Sequence, residues 1–449
     1  MNRDQLDFGS GEISRLFRII FFPTLIGMVS MTLLNICDGM FVGHGVGSDG
    51  LAAINIVAPL FLICTGIGLM FGIGASVIGG IRLAEKNTKA ARIIMTQAYL
   101  AGAVVFALIT TVVYLWTDNV LYIFGCSPRL LPLAEDYLMW IMPGLCFLFL
   151  QCAGMMLIRL DGSPRYAMAV QIVSAAVNIF LDWLMVFPLG MGIKGAAVAT
   201  SISCIISGSM VVAYFLWLSS SLKFYRLKWS RKSLQLSLRN IGYMSRIGFA
   251  TLLSEVAMGV MMVAGNFSFM HLLGEDGVAA FGVGCYLFPV MFSISNAVAQ
   301  SAQPIISFNY GIKQPDRISK ALRVSLSAAI GCGILIAIML WIGAPLLTKI
   351  FLPTAAPAFA IAAHGLPLLG TCAVCFAVNI TFIGYYQSLD QATLPTIYTL
   401  LRGMIFVVPG FFLLPLLLGV SGLWLAIPTA ELLTMLIIIS VFAFHKLKF

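Results

Sequence analysis

Asn178 and Asp182 stand four residues apart inside an apolar run from Ala167 to Leu189. A run of that length crosses a hydrocarbon core of about 30 Å as a helix. A carboxylate at that depth costs roughly 3 kcal/mol or more, so it normally faces a polar cavity or a partner. The spacing puts both side chains on one helical face. That face either packs against a neighbouring helix or lines an aqueous or ion-binding cavity. Other polar residues lie at comparable depth: Asn35 and Asp38 three apart, Asn296 and Gln300 on one face, Glu255, Asn379, Arg402 and Glu431. The sequence has no HExxH motif, no paired histidines at metal-ligand spacing and no nucleophile–base arrangement, so ion binding is expected and catalysis is not. Gly45-Val-Gly-Ser-Asp-Gly50 fits GxGxxG in form, but no strand precedes it and no βαβ unit surrounds it. With no P-loop and no separate soluble domain, ATP-driven pumping is excluded as well.

The elements that must position these residues are membrane helices. Of 449 residues, 60% are hydrophobic and 10% charged, with a mean hydropathy of +1.01; a soluble domain averages about 25% charged. Twelve spans are expected, near 16–40, 51–81, 93–116, 132–158, 166–189, 195–218, 241–270, 278–307, 321–344, 360–388, 394–417 and 422–444. Of the 26 Lys and Arg residues, all but Arg129, Lys194 and Lys349 fall on one face of this arrangement. The positive-inside rule makes that face cytoplasmic, with both termini on it. The net charge of +9 is therefore a topology signal and not a nucleic-acid footprint. Arg15 and Arg18 precede the first apolar run without a small-residue cleavage site, which reads as a retained first span and not a signal peptide. Nearly all ten cysteines lie in apolar runs, where Cys serves as a small apolar residue. Pro23 removes a backbone hydrogen bond within span 1 and is expected to bend it.

Residues 219–240 are polar and basic, a cytoplasmic linker expected to lie on anionic headgroups. They separate an N-terminal six-helix lobe, 1–218, from a C-terminal one, 241–449. The lobes repeat. Gly47-Ser-Asp-Gly-Leu-Ala-Ala53 matches Gly274-Glu-Asp-Gly-Val-Ala-Ala280, and Pro188 to Gly195 matches Pro415 to Gly422, both displaced by 227 residues. An even number of spans per unit relates the two by an axis along the membrane normal, with a substrate site between them. The fold class expected is an all-α polytopic membrane protein, twelve helices in two pseudo-symmetric six-helix bundles around a central cleft.

These residues together resemble the multidrug and toxic compound extrusion (MATE) family. The resemblance rests on Asn35-x-x-Asp38 with Val-Gly43 closing span 1, Gly-Ser-Pro-Arg165, Asn178-x-x-x-Asp182, Gln300-x-x-Gln-Pro304 running to Asn309-Tyr-Gly311, and the six-plus-six repeat. It covers essentially the whole chain. It implies a secondary antiporter of a bacterial-type plasma (inner) membrane, exporting lipophilic, mostly cationic compounds in exchange for protons or sodium, without a cofactor and as a monomer. The family's first-lobe site corresponds to Asp38, Asn178, Asp182 and Thr200; sodium, if it is the coupling ion, would sit at the first three. Pro23 falls where members bend span 1. A second-lobe cation site pairs an acid in span 7 with one in span 10; Glu255 is present here as a secondary acid, and the span-10 acid is missing. The expected cavity lining is Asn35, Gln151, Met155, Met291, Phe292, Asn296, Gln300 and Tyr385, apolar and aromatic enough for a flat cation. The alternative is a flippase for a lipid-linked substrate in the same broader superfamily, whose pyrophosphate would call for several cavity arginines; only Arg402 approaches that.

Overall fold

The computed structural model, described over residues 6–228 and 230–446, is built from helices, with no strand among the described residues. Among the described residues, ten helices are long and apolar enough to cross a membrane. One of them holds two spans' worth of chain, and a bent pair of shorter helices outside the ten adds one more span. Arg231–Gly311 leaves helical geometry at Gly274 (φ 65°, ψ −152°), which divides it into two spans. Pro357–Gly370 and Ala373–Ser388 form a single span bent by 48°. Counted this way, the ten become the twelve that the hydropathy predicts.

Spans 1 to 6 are Ile13–Gly45, Ser48–Ala84, Thr88–Leu115, Leu131–Leu160, Pro164–Val186 and Gly192–Ala213. Spans 7 and 8 are 231–273 and 275–311, and span 9 is Pro315–Ile342. Span 10 is the bent pair, span 11 runs from Thr393 to Leu418 through a π-helical turn at Leu401–Ile405, and span 12 is Val420–Lys446. The bend in span 10 has a local cause. Pro367 lacks an N–H, and the carbonyl of Pro367 itself, left without its helical donor by the break, accepts the Trp341 indole N–H at 2.8 Å. Span 1 runs continuously from Ile13 to Gly45 through Pro23, whose missing N–H leaves the Ile19 carbonyl without its helical donor.

The internal repeat is written in the backbone. Left-handed conformations occur at Gly47 and Gly274, at Lys86 and Lys313, and at Gly192 and Gly419, each pair displaced by 227 residues. Gly162 and Asp390 form a fourth pair, displaced by 228. Short helices Thr117–Ile123 and Ala344–Phe351 follow spans 3 and 9 with the same displacement of 227 at their first residues. At Gly47 and Gly274 the conformation is one that a side chain resists.

The chain packs as two compact units, Met1–Glu255 with Ser307–Pro315, and Val256–Ile306 with Asp316–Phe449. They do not divide at 219–240. The first part of span 7 belongs to the first unit because glycines admit it: a Cβ at Gly74 would collide with the Met244 carbonyl, and one at Gly248 with the carbonyl of Met70. The end of span 8 joins the same unit, where Asn309 Nδ2 donates to the Phe8 carbonyl at 3.0 Å. The polar stretch is also more ordered than a linker on headgroups implies. The Asp161 carboxylate accepts the N–H groups of Ser220, Ser221 and Leu222, each at 2.9 Å, and the Tyr214 hydroxyl at 2.7 Å. Helix then resumes at Arg231, capped by the Ser230 hydroxyl. The core of the first unit runs through Phe71, Met95, Leu145 and Phe149; that of the second runs through Phe281, Phe376, Phe411 and Trp424.

Candidate ion-coupling site

Within the first unit, spans 1, 5 and 6 bring Asp38, Asn178, Asp182 and Thr200 together. Asn178 and Asp182 are fully buried, one turn apart on span 5. The amide orientation that satisfies both ends of Asn178 donates to Asp182 Oδ2 at 3.0 Å and accepts from the Thr200 N–H and hydroxyl at 3.3 and 3.2 Å. The Asp38 carboxyl on span 1 lies within hydrogen-bonding reach of Asp182. One oxygen of each, Asp38 Oδ1 and Asp182 Oδ1, is buried without a partner among the described residues. Two carboxyl groups can bond to each other only through a proton, and the unpartnered oxygens leave acceptor capacity for a second ligand. This is a site that can hold a proton, or a small cation on oxygens alone.

Two neighbours were not anticipated from the sequence. Tyr137 on span 4 is buried close enough to interact electrostatically with both Asp38 and Asp182. Gln171, buried on span 5, has an unpartnered Oε1 among the described residues, and it reaches so close to span 1 that a Cβ at Gly27 would overlap its amide. Its signal was available: Gln171, Asn178 and Asp182 are spaced i, i+7, i+11 and share one helical face.

The remaining predicted residues are dispersed. Glu255 is buried beside Gly66 of span 2, among residues of the first unit. Gln151 accepts the Ser207 hydroxyl at 2.9 Å, a tie between spans 4 and 6, and Met155 sits in the core of the first unit. Met291 is part of the core of the second unit, with Phe292 packed against it 6.3 Å from the Phe376 ring. Gln300 is buried, Asn296 and Tyr385 are partly exposed, and Asn35 is exposed. Thus Gln151, Met155, Met291 and Gln300 face helix packing in this conformation and not open space.

The second unit holds its own buried charge cluster. Arg402, placed by the π-helical turn, meets Glu431 with Nη2 2.6 Å from Oε1 and Nε 3.0 Å from the same oxygen. Asn379 Nδ2 donates to Glu431 Oε2 at 2.7 Å, and the guanidinium lies 4.3 Å over the Phe376 ring. Arg402 therefore neutralises Glu431, and the choice between Glu431 and Asp390 that the sequence left open is resolved.

A twelve-span helical fold with an internal repeat is the architecture of a membrane transporter. A family model described as MatE matches residues 23–184 and again 250–413, and the chain belongs to that family. The two matched segments begin 227 residues apart, the displacement seen in the backbone. The chain is 26% identical over 329 residues to a protein named FAD transporter from Shewanella oneidensis, covering 72% of this chain and 71% of that one. It is 22% identical over 409 residues to Multidrug export protein MepA from Staphylococcus saprophyticus, covering 91% and 89%. A multidrug resistance MATE family transporter solved in an outward-facing conformation superposes with a TM-score of 0.88 at 20% identity, over 97% of this chain and 96% of that one. Members of the family are transporters and not enzymes.

Proposed function

We propose that this protein is a proton-coupled antiporter that exports lipophilic, mostly cationic organic compounds, with Asp38 and Asp182 as the exchange site. The observation that carries the reading is the Asp38–Asp182 pair, joined through fully buried Asn178 and Asp182 to Thr200. A pair that needs a proton to bond can take one up and release one, and a cation drawn to the deprotonated pair competes with that proton. Each ligand favours a different arrangement of spans 1 and 5, and such coupling is reciprocal. The protein works as a monomer in a bacterial inner membrane, both termini cytoplasmic, with no cofactor beyond the coupling ion.

The FAD transporter relative favours a second reading of the substrate, because a flavin is flat and aromatic as the cations are but carries a pyrophosphate. Against it stands Arg402, whose charge is already taken by Glu431. Proteoliposomes loaded in turn with ethidium and with FAD decide between them. Ethidium export driven by a proton gradient and not by a sodium gradient is the expected result. Sodium-driven export overturns the coupling ion, and export of FAD alone overturns the substrate class.

A further inference from the structure

At the basic end of the first unit lies a cavity of about 570 Å³, away from Asp38 and Asp182. Its walls are the inner ends of spans 2 and 3, the stretch before Ser230 and the first turns of span 7. Five cationic side chains line it: Arg82, Lys89, Lys228, Lys232 and Arg239. No carboxylate is among its lining residues. Arg82 has a partner in Glu85 at 2.8 Å, and the other four have no carboxylate partner among the described residues. The cavity is braced from within. Buried Gln97 donates to the Ser237 hydroxyl at 2.9 Å and accepts from Asn240 Nδ2 at 3.0 Å, which fixes span 7 against span 3. Lys89 lies 5.8 Å over the Tyr225 ring, and the Tyr225 N–H donates to Thr96 at 2.9 Å. Transport by the carboxylate pair gives none of these cations a role.

We propose that this cavity binds the headgroup of an anionic phospholipid of the cytoplasmic leaflet. Its charge fits a phosphodiester, and a groove of converging Lys and Arg at the inner end of a helix bundle is the chemistry that recognises one. A free phosphate would satisfy the cations equally well, but the apolar residues beside them point to a lipid. Leu236 lines the cavity itself, and Leu234 and Leu238, one turn apart on span 7, are 57% and 61% exposed. Leucines interleaved with Lys232 and Arg239 suit acyl chains descending from a headgroup held above them. The lipid would close the gap between span 3 and span 7 and stiffen the point where the chain leaves its first six spans.

The test is native mass spectrometry of the full chain in detergent, titrated with phosphatidylglycerol, phosphatidylcholine or inorganic phosphate. One phosphatidylglycerol should remain bound, and phosphatidylcholine should not. Each basic residue near an anionic surface contributes about a fivefold effect, so K228Q/K232Q/R239Q should weaken binding roughly a hundredfold. All three side chains are exposed, and single variants K228Q and K232Q, each expected to lose about fivefold, serve if the triple variant does not fold. K313Q/R317Q/K320Q, which removes the same charge outside the cavity, should bind as wild type. Equal loss in that control, retention by the triple variant, or equal retention of phosphatidylcholine overturns the proposal. Displacement of the lipid by millimolar inorganic phosphate overturns it in favour of a soluble phosphate.

Discussion

The carboxyl group of Asp38 on the first span reaches the carboxyl group of Asp182 on the fifth, and the two are close enough to share a hydrogen bond. Such a bond exists only while a proton lies between them. Replacing Asp182 by Asn keeps the size and burial but fixes that position in a neutral form and leaves Asp38 without a carboxyl partner to share a proton with. Asp182→Asn should bring export driven by a proton gradient close to zero while insertion and yield stay normal, and Asp38→Asn should do the same. The decisive measurement is proton release on ethidium binding in detergent. Wild type should release protons; equal release from Asp182→Asn would make the residue a packing group only.

Thr200 acts one bond further out, through the Asn178 amide. Thr200→Ala removes a hydroxyl worth about 1 kcal/mol to that network. Proton-driven transport should fall several-fold without vanishing, and Thr200→Ser should restore it. Loss in Ser equal to that in Ala would assign the effect to the methyl group instead.

Glu255 lies among different neighbours, beside Gly66, and takes no part in the Asp38–Asp182 pair. Glu255→Gln should reduce the transport rate partially and leave the number of protons released per drug unchanged. A Glu255→Gln protein that binds drug without releasing protons, beside an Asp182→Asn protein that still releases them, would move the coupling site to Glu255.

Arg402 and Glu431 are buried together, so neither charge can be removed alone without stranding the other. Arg402→Met and Glu431→Gln should each destabilise the protein by roughly 3–5 kcal/mol. The double variant Arg402→Met/Glu431→Leu should recover most of that loss. Thermal unfolding in detergent reads all three, and a double variant no better than the singles would show that the pair does more than neutralise itself.

Much of the fold was legible because a membrane span announces itself over twenty residues and a turn announces itself with Gly or Pro. The repeat could be read from Gly47 and Gly274 because both hold left-handed backbone that a side chain resists. The spacing of Asn178 and Asp182 likewise carried their shared face. What stayed hidden was set by contacts between distant segments. Tyr137 looks like any aromatic in an apolar run until span 4 brings it near two carboxyls. Gln151 and Met155 have the composition of a cavity wall, but their helix faces span 6 and the core. Arg402 had two acids within plausible reach, and a π-helical turn selected Glu431, which no residue pattern encodes.

The repeat and the compact units have different edges, and this bears on how the chain is made. The backbone repeats with a displacement of 227, yet the first unit takes in residues up to Glu255 and then Ser307–Pro315. A nascent chain that has delivered only its first six spans still lacks Met244 against Gly74 and Asn309 against Phe8. Its glycine-lined surface on span 2 stays open in the bilayer until spans 7 and 8 have followed. Completion of the first half during synthesis therefore waits on the second, and a gene cut at the duplication point would yield a fragment whose folding is unfinished.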